Sequence, residues 1–297
     1  MRSSLAVAIV AALAFLGWQH GRASEPDGRA ELLSVYKWQI PSEWFGGYSA
    51  LKLSPDGNEL LAVSDRGHFI QARIERDQDV VIGIADPIVH RIVNRTGKFE
   101  RKTKFRDSEG LAIKPNGQLV VSFEGDHRVK AFRVPGAKPQ LMPWSSGLDT
   151  MASNGGFEAI AYDPQGRLYA FPEQPIGPTQ RLHVFRMEDD VWKQPIVLLR
   201  DKEFQPVGAD FGPDGRLYLL ERGFNGVGFR NRVRSFAITT TGFSDEKLLF
   251  RKGIGGHDNL EGLSVWQDAQ GRIRLTMISD DNFRFLQRTE IVEYVIQ

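Results

Sequence analysis

One unit recurs five times along the 297-residue chain, and this repetition restricts the fold more than any other feature. Each copy is a short apolar strand, a Pro-x-Gly-like turn, and a second apolar strand ending in an acid. The copies occupy 48–57, 108–117, 157–166, 206–215 and 260–271, and their turn glycines are spaced 60, 49, 49 and 56 residues apart. Proline holds φ at about −65° and glycine accepts φ > 0, so each copy is expected to be a β-hairpin.

Two further strands are expected after each of the first four hairpins, at 69–74 and 80–84, 129–134 and 140–144, 182–186 and 196–200, and 233–238 and 247–250. Four strands at a period near 50 residues predict an all-β chain, a single β-propeller of four-stranded antiparallel blades. The last unit offers only 289–296 after its hairpin, so 31–40 is the expected missing strand. Its addition would close the ring and remove an exposed sheet edge. Five blades are recognisable, and the stretch between His68 and Phe105 leaves room for a sixth. A β-sandwich or a pair of small β-domains is the competing architecture, but no Ser- or Pro-rich linker divides the chain.

The first 23 residues read as an address. Arg2 precedes a 14-residue uncharged apolar run, 5–18, and Gly21 and Ala23 are the small residues before a cut after Ala23. That is the layout of a Sec-type signal peptide, and the run is shorter than the roughly 20 residues that span a bilayer. The expected division is therefore a signal peptide, 1–23, and one propeller domain, 24–297. The mature chain would carry 36 basic against 37 acidic groups, without the basic excess of a nucleic-acid binder. It is expected to be periplasmic or secreted, with no stable membrane insertion after cleavage. The Cys count of 0 excludes disulfides, zinc–thiolate sites, iron–sulfur clusters and thiol nucleophiles.

Aligning the hairpins puts an acid at the end of every second strand: Asp65, Glu124, Glu173, Glu221 and Asp280. Three first strands also begin with Glu, at Glu109, Glu158 and Glu261, where the other two have Ser49 and Val207. The start of one antiparallel strand lies beside the end of its partner, so both sets belong at one mouth of the central channel. Like charges this close disfavour one another's ionisation, which calls for a cation, basic partners or shared protons. Hard oxygen ligands suit Ca²⁺, or Mg²⁺ where the geometry is tighter. Arg66 and Arg222 directly follow two of the acids, and Asp107, Asn154, Asn259, Asp281 and Asn282 in adjoining loops can add oxygens. The opposing reading is that each acid merely binds backbone amides or pairs with Arg, as a repeated structural feature. No G-x-S-x-G elbow, H-E-x-x-H, EF-hand loop or Walker-type P-loop is present. His127 and His257 are loop histidines that either donate to a ligand or face solvent.

The segments Ser64-Asp-Arg-Gly67, Asp107-Ser-Glu-Gly-Leu-Ala112, Asn154-Gly-Gly-Phe-Glu158, Leu220-Glu-Arg-Gly223, Asn259-Leu-Glu-Gly262 and Ile278-Ser-Asp-Asp-Asn282 resemble the phytase-like domain family, "esterase-like activity of phytase". The resemblance runs from about Tyr48 to Tyr294 and implies an exported bacterial phosphoester or phosphodiester hydrolase. It implies a site carried by Asp65, Glu109, Glu124, Glu158, Glu173, Glu221, Glu261 and Asp280. On that basis Asp65, Glu124, Glu173, Glu221 and Asp280 are the expected metal ligands. Glu109, Glu158 or Glu261 is the expected general base, with Arg66 and Arg222 on the phosphate oxygens. The expected ligand is a small-molecule phosphate ester or other ester. Two alternatives stand beside this: a Ca²⁺-dependent lactonase or carboxylesterase, and a non-enzymatic binding module with a structural metal.

Overall fold

All five turns form as the Pro-x-Gly pattern requires. The N–H of Gly57, Gly117, Gly166, Gly215 and Gly271 donates to the carbonyl three residues back at 2.8–2.9 Å. These glycines have φ between +73° and +86°, a region that side chains with a Cβ rarely enter. The computed structural model describes residues 29–125, 127–144, 156–174, 181–199, 201–240 and 242–297; the expected signal segment and Asn154 lie outside them.

Each turn joins the inner two strands of a four-stranded antiparallel sheet, and there are five such sheets. Blade one comprises Tyr48–Leu53, Glu59–Ser64, His68–Asp77 and Val80–Arg91. Blade two comprises Ser108–Ile113, Leu119–Phe123, Arg128–Phe132 and Gln140–Leu141, and blade three Phe157–Tyr162, Leu168–Pro172, Arg181–Glu188 and Val191–Leu199. Blade four is Gln205–Phe211, Leu217–Phe224, Phe229–Ile238 and Phe243–Lys252. Blade five is built from Asn259–Gln267, Ile273–Asp280 and Glu290–Ile296, and its outer strand is the N-terminal Ala30–Lys37, paired antiparallel with Glu290–Ile296. The ring is closed by that strand, as expected. The room for a sixth blade is taken up by two long strands of blade one, an isolated bridge between Val93 and Phe99, and a short 3-10 turn, Thr103–Phe105.

Alternating apolar residues give each blade two buried faces, and five apolar clusters fill the five blade-to-blade interfaces. Between blades one and two, for instance, the Phe69 and Phe132 rings meet edge to face at 5.2 Å. The first strands of successive blades touch one another around the axis. At one level of that axis the residues are Ala50, Gly110, Ala159, Gly208 and Gly262, and the cavity they help to line is only 10 Å³. Such a volume barely admits one water, so the channel is closed there. A Cβ on Gly208 would sit 2.6 Å from the Glu261 carbonyl oxygen, and one on Gly262 2.7 Å from the Leu51 amide. The strands can therefore approach this closely only because side chains are missing at this level.

Towards the other end of the channel, Lys52 from blade one ties three blades together. Its buried ammonium pairs with Asp210 at 2.8 Å and donates to the Ala209 and Leu263 carbonyls at 3.0 and 3.3 Å. Burial lowers its pKa, and the Asp210 carboxylate pulls it back.

Gly262→Ala is expected to destabilise the protein by about 2 kcal/mol, the usual cost of overpacking a filled core. Urea unfolding measures it, and an unchanged midpoint would mean that the axis has slack.

Candidate active site at the acidic mouth

Every inner hairpin carries a β-bulge at the same level. The register slips between Tyr48 and Ala50, Ser108 and Leu111, Phe157 and Ala159, Pro206 and Gly208, and Leu260 and Gly262. A bulge leaves a residue unpaired and re-aims its side chain. The slipped residues include Ser49, Glu109, Glu158, Val207 and Glu261, directly above the Gly/Ala level that closes the channel. Ser122 fixes two of them: it accepts from the Gly110 amide at 2.8 Å and donates to the Phe157 carbonyl at 2.7 Å. Those are the chain neighbours of Glu109 and Glu158, on adjacent blades.

The second strands contribute the other position. Asp65, Glu124 and Glu173 donate their amides to the carbonyls of Gly47, Asp107 and Gly156 at 2.9, 2.9 and 3.2 Å. The equivalent pairings in the remaining blades are Arg222 with Gln205 and Asp280 with Asn259. In blade four the slot thus belongs to Arg222 and not to Glu221, which is a correction to the sequence alignment. Glu221 pairs with Pro206 one step earlier, where the other blades have Ser64, Phe123, Pro172 and Ser279. Its buried carboxylate is gripped by Arg232 at 2.7 Å and Arg234 at 2.6 Å. The missed signal was a count: Arg222 lies seven residues beyond its turn glycine, as Glu124 and Glu173 do.

The mouth therefore gathers Asp65, Asp107, Glu109, Glu124, Glu158, Glu173, Glu261 and Asp280, with Arg222 set among Glu158, Glu173, Glu261 and Asp280. The tightest group is Asp107, Glu109 and Glu124, half-buried, with one carboxylate oxygen from each within 4.8 Å of the others. The sequence marked Asp107 only as a loop oxygen. Arg222 forms an ion pair with Glu261, donates to the Asn259 side-chain amide oxygen Oδ1 at 3.0 Å, and stands 4.0 Å from Glu173. Asn259 donates in turn to Glu261 at 2.8 Å. Arg66 lies outside this group, its guanidinium stacked on Phe283 and donating to the Glu43 carbonyl. Asp281 is occupied with structure, accepting from the Gly47 amide at 3.1 Å. His257 is a core residue, bonded to the Tyr294 hydroxyl at 2.6 Å and pushed down to about 4 by burial.

The crowding shows in the acidities. Burial, then the Asp107 charge, raises Asp65 and Glu124 to about 7. Burial, then Glu261, raises Asp280 to about 8. Glu109 is pushed well up by burial and then Glu158, and Glu158 by burial and then Glu173. Burial also raises Glu261, against Arg222 and Asn259. Burial lowers the pKa of Arg222, but the charges of Glu261, Glu158, Glu173 and Asp280 outweigh it and hold the guanidinium protonated.

A family model described as "Phytase-like: Esterase-like activity of phytase" matches residues 43–283. No protein of curated function matches the chain. Among solved structures, hydrazine synthase of Kuenenia stuttgartiensis is 14% identical over 88% of this chain and 66% of its own, with a TM-score of 0.42. The PQQ-bound aldose sugar dehydrogenase of Streptomyces coelicolor is 12% identical over 91% of this chain and 99% of its own, TM-score 0.48. A putative gluconolactonase is 13% identical over 94% and 97%, TM-score 0.46. At these identities and scores none of the three bears on this chain's activity.

A carboxyl whose folded pKa lies above its unfolded value binds protons more tightly in the folded state, so stability falls as pH rises between the two values. For Asp65, Glu124 and Asp280 that window runs from about pH 4 in the unfolded chain to about 7–8 in the folded one. In chelator, Tm is expected to fall as pH rises from about 5 to 8, and Ca²⁺ to restore most of the loss at the upper end. Differential scanning fluorimetry measures this; a chelated Tm that rises towards pH 8 contradicts it.

Proposed function

Because the chain belongs to the phytase-like family, we propose that its acidic mouth is the active site of a divalent-cation-dependent hydrolase of phosphate esters or phosphodiesters. The observation that carries this reading is the Asp107–Glu109–Glu124 trio at the blind end of an acid-lined mouth. An all-oxygen donor set with mutually raised acidities fits a hard cation, Ca²⁺ or Mg²⁺. Such an ion would supply Lewis-acid chemistry there, offsetting phosphate charge and lowering the pKa of water.

The chain's own groups divide the remaining work. Asp107, Glu109 and Glu124 would hold the cation, with Asp65, Glu173 and Asp280 beside them. Glu261 and Asn259 orient Arg222, whose planar fork binds an anionic oxygen entering the mouth. Arg66 contributes a second guanidinium at the rim. Among the described residues the Glu158 carboxyl has neither a hydrogen bond nor an ion pair, so once a bound cation has lowered its pKa its oxygen is free to take the proton from water. That assignment selects Glu158 from the three first-strand acids, since Glu109 belongs to the trio and Glu261 to Arg222. The leader read from the sequence delivers this activity to the periplasm or the medium.

Glu158→Gln is expected to lower turnover by about 10²–10⁴-fold with Tm kept or raised. Glu221→Gln is expected to cost about 3 kcal/mol of stability while each folded molecule turns over normally, because its partners are the blade-four arginines. Steady-state kinetics beside thermal melts separates the two, and unchanged turnover in Glu158→Gln removes that residue from the mechanism.

Metal-stripped protein assayed on p-nitrophenyl phosphate, bis(p-nitrophenyl) phosphate and p-nitrophenyl acetate, with Ca²⁺ and with chelator, tests the reaction class. Calcium-restored cleavage of a phosphate ester is expected. Cleavage of the acetate alone would favour the carboxylesterase reading, and silence on all three the binding module.

A further inference from the structure

Beside the acidic mouth the chain builds a pocket of the opposite charge. It lies between blade one and the loop that leads on to blade two, has a volume of about 720 Å³, and presents Arg66, Arg91 and Arg106 with His68, Trp44 and Phe99. Three guanidiniums around one cavity repel one another, as the carboxylates do next door. Among the described residues none of the three forms an ion pair. Arg66 is held by the Glu43 carbonyl and the Phe283 ring; Arg91 and Arg106 have only the Phe99 ring, at 5.2 and 5.6 Å from its centroid. The one acid in the lining, Glu43, accepts Arg66 through its backbone oxygen, and among the described residues its exposed carboxylate forms no ion pair.

His68 adds to the pattern. Burial, then the charges of Arg91, Arg106 and Arg66, push it down to about 4, so it is neutral at physiological pH and does not raise the charge further. A pocket that collects arginines and leaves them unpaired is matched to an oxyanion, which the planar guanidinium fork meets with two parallel hydrogen bonds. The position matters as much as the charge. Arg66 follows Asp65 and Arg106 precedes Asp107 in the chain, and both arginines partly offset the rise of the Asp65 pKa. The pocket and the acidic mouth therefore share a wall.

We propose that the Arg66–Arg91–Arg106 pocket binds a second anionic group, a phosphate or carboxylate, carried by the same ligand whose ester enters the acidic mouth. The substrate class is then an ester with at least two anionic groups, and this assignment to a substrate rests on the hydrolytic reading above. Trp44 and Phe99 add flat apolar surface for whatever scaffold joins the two groups.

The binding part is tested without turnover. Isothermal titration of inorganic phosphate into the full chain in chelator, near pH 7, reads the pocket through its own arginines, because Arg222, the guanidinium of the mouth, is already paired with Glu261. Saturable binding is expected, at least tenfold weaker in Arg91→Gln and in Arg106→Gln. Arg101→Gln, which removes an exposed cation of the same loop outside the pocket lining, should stay within twofold of the parent. No binding, or equal loss in all three variants, overturns the proposal.

The substrate part is read on the active enzyme by comparing KM for a hexose bisphosphate with KM for the matching monophosphate. A lower KM for the bisphosphate, abolished by Arg91→Gln with kcat unchanged, is expected; equal KM values overturn the assignment to a substrate. Arginine-dependent phosphate binding in a protein that hydrolyses nothing would fell the hydrolytic reading and leave an oxyanion pocket.

Discussion

The close approach of five first strands on one axis governs the rest of this molecule. Where Ala50, Gly110, Ala159, Gly208 and Gly262 meet, no larger side chain fits, and the cavity there is only 10 Å³. Immediately above, each hairpin bulges and turns a side chain to the mouth. Packing that is favourable one residue below thus forces carboxylates together one residue above. Separating them would mean widening the ring and opening apolar interfaces such as the Phe69–Phe132 contact. The apolar packing prevails, and the electrostatic cost appears as carboxyl groups that hold protons near neutral pH.

That cost is unevenly distributed. Blades one and four place Ser49 and Val207 at the bulge, and blade four places Arg222 in the acid slot, so the acids of blades two, three and five dominate the inner ring. Arg222 with Asn259 and Glu261 makes one side of the mouth nearly self-compensated, whereas Asp107, Glu109 and Glu124 form no ion pair among the described residues, although the Arg106 and Arg128 charges reach Asp107. A fivefold scaffold has in this way acquired a polar axis across its mouth, from a guanidinium on one side to a cation-ready trio on the other. The proposed hydrolysis of an anionic ester would use this division: fixed positive charge on one side and recruited charge on the other.

The architecture was legible because repetition and periodicity are local properties. Four Pro-x-Gly turns, a fifth with Ala269 in place of the proline, and alternating strands gave the blades, and the short last unit gave the closing strand Ala30–Lys37. The ring of acids was legible for the same reason, with Glu109, Glu158 and Glu261 sharing one position. What the sequence concealed were offsets of a single residue. Glu221 matches the acid pattern by eye, but period-two alternation turns it to the other face of the sheet, onto Arg232 and Arg234. Asp107 read as a loop residue because its closeness to Glu124 depends on a backbone pairing between strands, not on chain spacing. The same holds for the arginine pocket: Arg91 and Arg106 are separated by a loop, and only the fold sets both against Phe99.

In the proposed mechanism the mouth is a proton-bearing carboxylate cluster that exchanges its protons for a hard cation. Calorimetric titration of Ca²⁺ into chelator-stripped protein near pH 7, repeated in buffers of different ionisation enthalpy, measures cation and proton together. Saturable binding with release of protons is the expected result, with both lost in a Glu109→Gln, Glu124→Gln double variant. Calcium that fails to bind, or binds without displacing protons, would contradict the claim and leave the acids as structural features of the ring.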